Sequence, residues 1–236
     1  MAKDMLTKME YVRSFIKKPS TPKVDDNVWE LLGVCLGDGC LSEYTNNYDN
    51  QVRHTVLFTG NARDDYGYYF DHLVPLINSK FNIAVHPRIR FDCNTINIFI
   101  SNKIIFDFFN GLGMPTGHKK GKLEITPKLS HSKKSAKAAI LRGLFDTDGH
   151  IFARKDEGYR YPHIKITSAT PYFLVQLKDL IREFGLPAYI HDIDVQLRGS
   201  KNIKKWMELI GTSHPTHQAR YASWLETGKL LPKYIS

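Results

Sequence analysis

Leu31-Leu32-Gly33-Val34-Cys35-Leu36-Gly37-Asp38-Gly39 returns later in the chain as Leu141-Arg142-Gly143-Leu144-Phe145-Asp146-Thr147-Asp148-Gly149. Both are helix-like apolar runs that close on Asp-Gly, and glycine after the last periodic residue is a common helix stop. Gly33 and Gly37 stand four residues apart and so share one helix face, as do Gly143 and Thr147. Small residues on one face, as Gly33, Gly37, Gly143 and Thr147 are, let two helices meet backbone to backbone, although a packing helix with a glycine cap is the plainer reading. The aspartates sit at the negative end of a helix dipole, where a carboxylate is disfavoured by roughly 0.3–1 kcal/mol. Asp-Gly is also a good turn dipeptide, which is the plain explanation. If two such helices pack in parallel, however, Asp38 and Asp148 emerge together at one end. Clustered carboxylates on a basic protein suit a hard cation such as Mg2+, which keeps water and substrate phosphates in its shell and can activate water against a phosphodiester.

The repetition continues downstream of both motifs. Short strand patterns follow at Val56-Leu57-Phe58-Thr59 and Ile164-Lys165-Ile166-Thr167, then helices around Leu73 to Ile77 and Leu177 to Ile181. Further strands run from Ile96 to Ile100 and from Ile193 to Leu197, and each half then has a lysine, Lys103 or Lys201, and a helix ending at Gly113 or Gly211. The order in each half reads helix, strand, strand, helix, strand, strand, helix. Two copies of one unit predict pseudo-twofold symmetry within a single chain, as C2 dimers have between chains. We divide the sequence into a lead-in with a short helix at 1–26, a first half at 27–113, a linker at 114–135 and a second half at 136–236. The linker carries the basic run His118-Lys119-Lys120, and the tail holds a last helix from Gln218 to Glu226 before a frayed end.

Composition narrows the classes of function. The 236 residues are 42% hydrophobic, enough for a real core rather than a disordered chain. Lysine and arginine number 33 against 24 acidic residues, a formal net charge of +9. That balance points to a polyanionic partner, nucleic acid before a membrane surface. No apolar run approaches the ~20 residues that span a bilayer, and Met1-Ala2-Lys3-Asp4 opens no apolar signal core. Cys35, Cys40 and Cys93 form no C-x-x-C pair, so a reducing compartment is expected rather than a disulfide scaffold. The expected location is intracellular: the cytoplasm of a prokaryote, or an organelle if an organellar intron encodes the chain.

The paired motifs resemble those of the LAGLIDADG homing endonucleases, and the resemblance runs from about Trp29 to Trp224 through the strand order and repeat length. It implies an α+β fold of two pseudo-symmetric αββαββα halves, with the motif helices between them and two antiparallel sheets forming a saddle over DNA. It implies a monomer that hydrolyses both strands of a long, asymmetric double-stranded DNA target and leaves short 3′ overhangs. It implies Mg2+ as cofactor, with Mn2+ or Ca2+ substituting in binding. The last acidic residue of each motif, Asp38 and Asp148, is then metal ligand and catalytic residue, with Gly37 and Thr147 beside them in the metal set. Lys103 and Lys201 fall where many relatives carry a basic residue near the cut phosphates, which makes them the other expected catalytic residues. The chain departs from the pattern at the sixth motif position, Leu36 in one copy and Asp146 in the other, which makes Asp146 a structural residue. It departs again at Gly60 and Ser168, where a glutamine or similar polar residue often follows the first DNA-facing strands.

Strand alternation selects a DNA face. Val56 and Phe58 turn one way and Arg53, Thr55, Leu57 and Thr59 the other. Ile164 and Ile166 oppose Tyr161, His163, Lys165 and Thr167 in the same manner. Arg88 and Arg90 share a face with Ile89 and Phe91 behind, and Asp192, Asp194, Gln196 and Arg198 share the corresponding one. Such mixed polar faces suit a major groove, where arginine pairs with guanine and glutamine with adenine, although a solvated antiparallel sheet shows the same alternation. The polar loop Tyr44 to Asn50 reaches beyond the sheet. Rival readings are an intron maturase, with intron RNA as a further partner, and a non-cleaving DNA-binding regulator on the same fold. A zinc module is not expected, because His214 and His217 have no cysteine partners at metal spacing. Nor is a nuclease embedded in an intein, since no splicing junction stands at Met1 or Ser236.

Overall fold

The computed structural model describes residues 19–230. The expected N-terminal helix and frayed C-terminal end fall mainly outside that range. The first half runs α1 (Asp26–Asp38), β1 (Gly39–Thr45), β2 (Val52–Asn61), a π-helical turn (Tyr68–Leu73) continuing as α2 (Val74–Phe81), β3 (Arg88–Arg90), β4 (Thr95–Ser101) and α3 (Lys103–Gly111). A short α4 (Pro127–Ser130) follows. The second half repeats the order: α5 (Lys134–Asp148), β5 (Gly149–Ala153), β6 (Pro162–Thr167), α6 (Pro171–Arg182), β7 (Tyr189–His191), β8 (Asp194–Arg198) and α7 (Ser200–Leu209), then α8 (Pro215–Thr227). The sheets have the same antiparallel order, β1-β2-β4-β3 and β5-β6-β8-β7. This is the two-copy αββαββα architecture read from the sequence.

Local chemistry sets the ends of these elements. The Asp25 carboxylate caps α1 by accepting from the Val28 amide at 3.1 Å, and Asn102 caps α3 through the Ile105 amide at 3.1 Å. Pro171 and Pro215 stand in the first turns of α6 and α8, where the missing N–H costs nothing. The periodicity predicts one helix around Leu73 to Ile77. The backbone instead makes a π-turn ending just before Pro75, with the Val74 amide bonded to the Tyr69 carbonyl. π-Turns of this kind tend to accompany functional sites, and this one buries Tyr68 and Tyr69 side by side.

α1 and α5 form the centre of the molecule. A side chain on Gly33 would strike the Ile140 carbonyl, and one on Gly143 would strike the Glu30 carbonyl and lie 2.8 Å from the Val34 amide. The backbones therefore touch, and the helices run in parallel, since Gly37 meets Thr147 and Asp148 a turn further on. Each sheet turns its apolar face inward: Val56, Phe58, Ile96 and Ile98 in one half, Ile151, Ile164, Ile166 and Val195 in the other, all buried. Beside the helix contact lies a buried ionic knot. Glu30 accepts from Arg142 Nε and Nη2 at 2.9 and 2.7 Å, pairs with His72 Nε2 at 2.7 Å and accepts from Ser213 Oγ at 2.8 Å. Burial pushes the Glu30 carboxyl up, but the His72 hydrogen bond and the Arg142 charge outweigh it and bring it down to about 2.

Candidate active site

The parallel helices end at Asp38 and Asp148, both half-buried, at the same end of the pair. Their carboxyls resist ionising. Burial, followed by the nearby charges of Asp148 and Asp65, pushes Asp38 up to about 8. Burial also raises Asp148, against the pull of Lys119. Two poorly compensated carboxylates at one end of a helix pair form the electrostatic signature of a cation site.

Lys119 supplies the positive charge at this point. Its ammonium donates to the Leu36 carbonyl at 2.9 Å and to the Gly37 carbonyl, the free carbonyls at the negative end of α1. The segment predicted as linker holds it there. The Gly117 amide donates to the Leu41 carbonyl at 2.7 Å, and Thr116 makes a parallel bridge to Leu41. On the other side the Gly121 amide donates to Thr170 Oγ1 at 2.9 Å. Lys119, Lys120, Asp148, Thr167, Ser168 and Thr170 line a cleft of about 300 Å³.

The surroundings of the two aspartates differ. On the Asp38 side the buried Tyr69 hydroxyl stands beside the carboxyl without closing a well-formed hydrogen bond to it. Asp65 accepts from the Asn61 amide at 2.7 Å and pairs with His214 Nε2 of the second half at 3.1 Å. Gly60 makes this possible, because a side chain there would collide with Tyr69 and Asp65. The Asp148 side has Ser168 in place of Gly60, with Lys119 and Lys120 in place of a third carboxylate. Asp146 is structural: it accepts from the Thr212 hydroxyl and from the Ser213 amide at 2.8 Å.

Lys103 and Lys201 both stand at the first turns of the helices α3 and α7, beyond the ends of β4 and β8. Gly39 pairs with Phe58 and Phe58 with Ile98, whereas Lys103 lies beyond Ser101, which pairs with Thr55. Three residues of strand from Ile98 to Ser101 carry the chain about 10 Å from the end of the motif, and Lys103 opens α3 beyond it, exposed and paired to Asp107 at 2.7 Å. Lys201 is exposed on the rim of a hollow with Arg182 and Lys205. Gly37 and Thr147 belong to the helix contact as expected. The Gly37 carbonyl is taken by Lys119, however, and the Thr147 hydroxyl turns back to the Gly143 and Leu144 carbonyls at 3.0 and 3.2 Å.

Of the predicted DNA face, Arg53, Leu57, Thr59, Arg88, Arg90, Lys165, Thr167 and Arg198 lie outward on the strands. Arg53 and Arg90 are each paired to a neighbouring aspartate, Asp49 and Asp92. Tyr161 is 56% exposed just ahead of β6. Three members are buried. Thr55 donates to the Ser42 carbonyl at 3.3 Å, His163 stacks on Phe152 and pairs with Glu157, and Gln196 accepts from the Tyr189 hydroxyl at 3.0 Å. Asp194 is engaged by Thr167 Oγ1 at 2.6 Å. Asp192 is not on the strand, because the chain turns at 192–193 with Asp192 left-handed at φ 53°. Phe91, expected behind the sheet, sits in a turn and is 88% exposed.

Residues 135–214 match the LAGLIDADG-like domain family. In overall structure the chain is similar to I-DmoI in complex with DNA and Ca, at a TM-score of 0.61 and 16% identity, covering 84% of this chain and 97% of that one. It is also similar to I-DmoI in complex with DNA and Mn, at a TM-score of 0.58 and 17% identity over 80% and 98%. The I-LtrWI LAGLIDADG homing endonuclease bound to target DNA aligns at a TM-score of 0.55 and 14% identity over 86% and 89%. By sequence the chain is 25% identical over 196 residues to the "Probable translation initiation factor IF-2" of Methanocaldococcus jannaschii, covering 83% of this chain. It is 24% identical over 206 residues to the protein of the same description in Thermococcus kodakarensis, covering 84% of this chain. The chain spans only 14% and 16% of the length of these two relatives. The second half thus matches the LAGLIDADG-like domain family, and the chain as a whole has the fold of the LAGLIDADG homing endonucleases.

Proposed function

We propose that the chain is a site-specific DNA endonuclease that hydrolyses both strands of a long, asymmetric duplex target and leaves short 3′ overhangs. The observation that carries this reading is the meeting of Asp38 and Asp148 at the joined ends of α1 and α5 with Lys119 between the halves. The structural neighbours held with DNA and with Ca or Mn support it, as does the net charge of +9.

A divalent metal fits this donor set. The pair offers hard oxygen ligands whose mutual repulsion a cation relieves, and two carboxylates leave room for water and phosphate oxygens. Asp38 and Asp148 would hold Mg2+, which supplies a water of lowered pKa and a counter-charge for the phosphodiester. The chain's own groups do the rest. The Lys119 ammonium faces the charge that builds on a phosphate brought to the aspartates, where a fixed cation in a partly dry site acts most strongly. The hydroxyls of Thr167, Ser168 and Thr170 offer donors along the cleft. Arg53, Arg88 and Arg198 on the outward strand faces meet the polyanion.

The test is selection of a cleaved duplex from a randomised library, followed by cutting of a supercoiled plasmid carrying it in Mg2+. Asp38→Asn and Asp148→Asn should each abolish double-strand cutting and leave duplex affinity within a few fold. Cutting at the wild-type rate by either variant overturns the assignment of the aspartates. Failure of the wild-type protein to cut any duplex overturns the activity.

A further inference from the structure

The two sheets place different chemistry at one symmetry-related row. In the first half Cys40 pairs with Leu57, and Leu57 with Phe99. The glycines that follow the motifs fix the equivalence, since Gly39 pairs with Phe58 and Gly149 with Ile166. One position before those partners, the second half carries His150, Lys165 and Gln196. The same row is apolar in one half and polar in the other.

The apolar row faces outward. Val56, Phe58, Ile98 and Ile100 alternate with it and are buried in the core, whereas Phe99 is 51% exposed. β3 pairs only with Thr95, Ile96 and Asn97, so no β3 residue is hydrogen-bonded opposite Phe99. A hollow of about 480 Å³ is left, lined in part by Ile83, Val85, Phe99 and Ile105. The next row toward the aspartates is Thr59, Asn97 and Arg88, and the row on the far side is Ser42, Thr55 and Ser101. Arg53, Arg88 and Arg90 frame this face. An apolar strip framed by arginines fits a polyanion that carries apolar knobs. The major groove of duplex DNA presents one such knob, the 5-methyl group of thymine.

We propose that Leu57 and Phe99 form a methyl-reading row that makes the first half select thymine at the base pairs it faces, while His150 and Lys165, beside the buried Gln196, read the corresponding place in the other half by hydrogen bonds. This inference rests on the DNA reading above. It adds Phe99 to the specificity-determining residues and makes target asymmetry a property of two named rows.

The experiment uses the selected duplex, synthesised with deoxyuridine for thymidine in one half-site at a time, and measures binding of the full chain in Ca2+. Burying a methyl group changes affinity by about fourfold, so uracil in the first half-site should weaken binding about fourfold for each methyl contacted. Uracil in the other half-site should leave binding unchanged. Phe99→Ser and Leu57→Ser, both checked by thermal melting, should bind thymine and uracil duplexes alike. Equal wild-type binding to both duplexes overturns the inference while leaving the nuclease reading standing. So does a thymine preference that survives both variants, or a selected site without thymine in the first half. A selection that yields no duplex overturns both.

Discussion

Lys119 and Lys103 make opposite predictions. Lys119 reaches the α1 carbonyls beside Asp38 and Asp148, whereas Lys103 pairs with Asp107 in solvent. Lys119→Met should slow cutting by about 10²-fold or more, the usual cost of removing a charge placed against developing charge, and Lys103→Met should leave the rate within a few fold. Single-turnover cutting of the selected target checks both. Lys103 and Lys201 recur at one place in the repeat, whereas the lysine that the structure sets against the end of α1 comes from the connection between the repeats. The basic run His118-Lys119-Lys120 was visible in the sequence. Its approach to α1 was not, because that depends on the Thr116–Leu41 and Gly121–Thr170 contacts made by the folded chain. Glu30 gives a second prediction at this scale. Its carboxyl falls from the ordinary 4.5 to about 2 on folding. A lowered carboxyl stabilises the fold above the unfolded value, and the contribution is lost as pH falls from about 4.5 through about 2. The shift corresponds to about 3 kcal/mol. Denaturant unfolding from pH 6 to pH 2 should show that slope in the wild type, and Glu30→Gln should be less stable at pH 6 and lack it.

Among the elements, α1 and α5 were the most legible, since Gly33, Gly37, Gly143 and Thr147 lie on the predicted contact faces. Adding a methyl group tests this directly. Gly143→Ala should destabilise the fold by about 1–3 kcal/mol or more, because the new Cβ meets the rigid Glu30 carbonyl. Gly111→Ala, with nothing within 4 Å, should be neutral or slightly stabilising. Thermal melting of the two variants side by side checks both, and equal shifts would mean that the helices do not touch at Gly143. The π-turn before α2 was not legible. Tyr68, Tyr69 and His72 carry an ordinary amphipathic pattern, and in the fold the wider turn sets Tyr69 beside Asp38 and His72 against Glu30. The buried Thr55, His163 and Gln196 show the same limit. Alternation gives the direction of a side chain, but whether a neighbour such as Phe152 or Tyr189 covers it depends on tertiary structure.

For the whole molecule the net charge of +9 predicts steep salt dependence. Neutralising about 6–10 phosphates would lower affinity by roughly 10³–10⁵ between 50 and 200 mM salt. Titration of labelled duplex across that range checks it, and a flat response would contradict an extended phosphate interface. The two-copy architecture could be read in advance because hydrophobic periodicity recurs in the same order in both halves. The difference between Gly60 and Ser168 was visible in the sequence, but the rest of the inequality around Asp38 and Asp148 was not. Asp65 and His214 meet across 149 positions of chain, a contact that no local pattern announces.

The backbone contact between α1 and α5 has one more consequence. Helices that touch through glycine have no side-chain layer left to compress or slide, so the spacing between their ends is fixed as firmly as the jaws of a locked caliper. The outer strands can vary their side chains and so the sequence they accept. The distance between the two aspartates cannot follow such variation. Under the endonuclease reading proposed above, a lineage of chains built on this contact would drift from target to target while the stagger of its two cuts stayed constant.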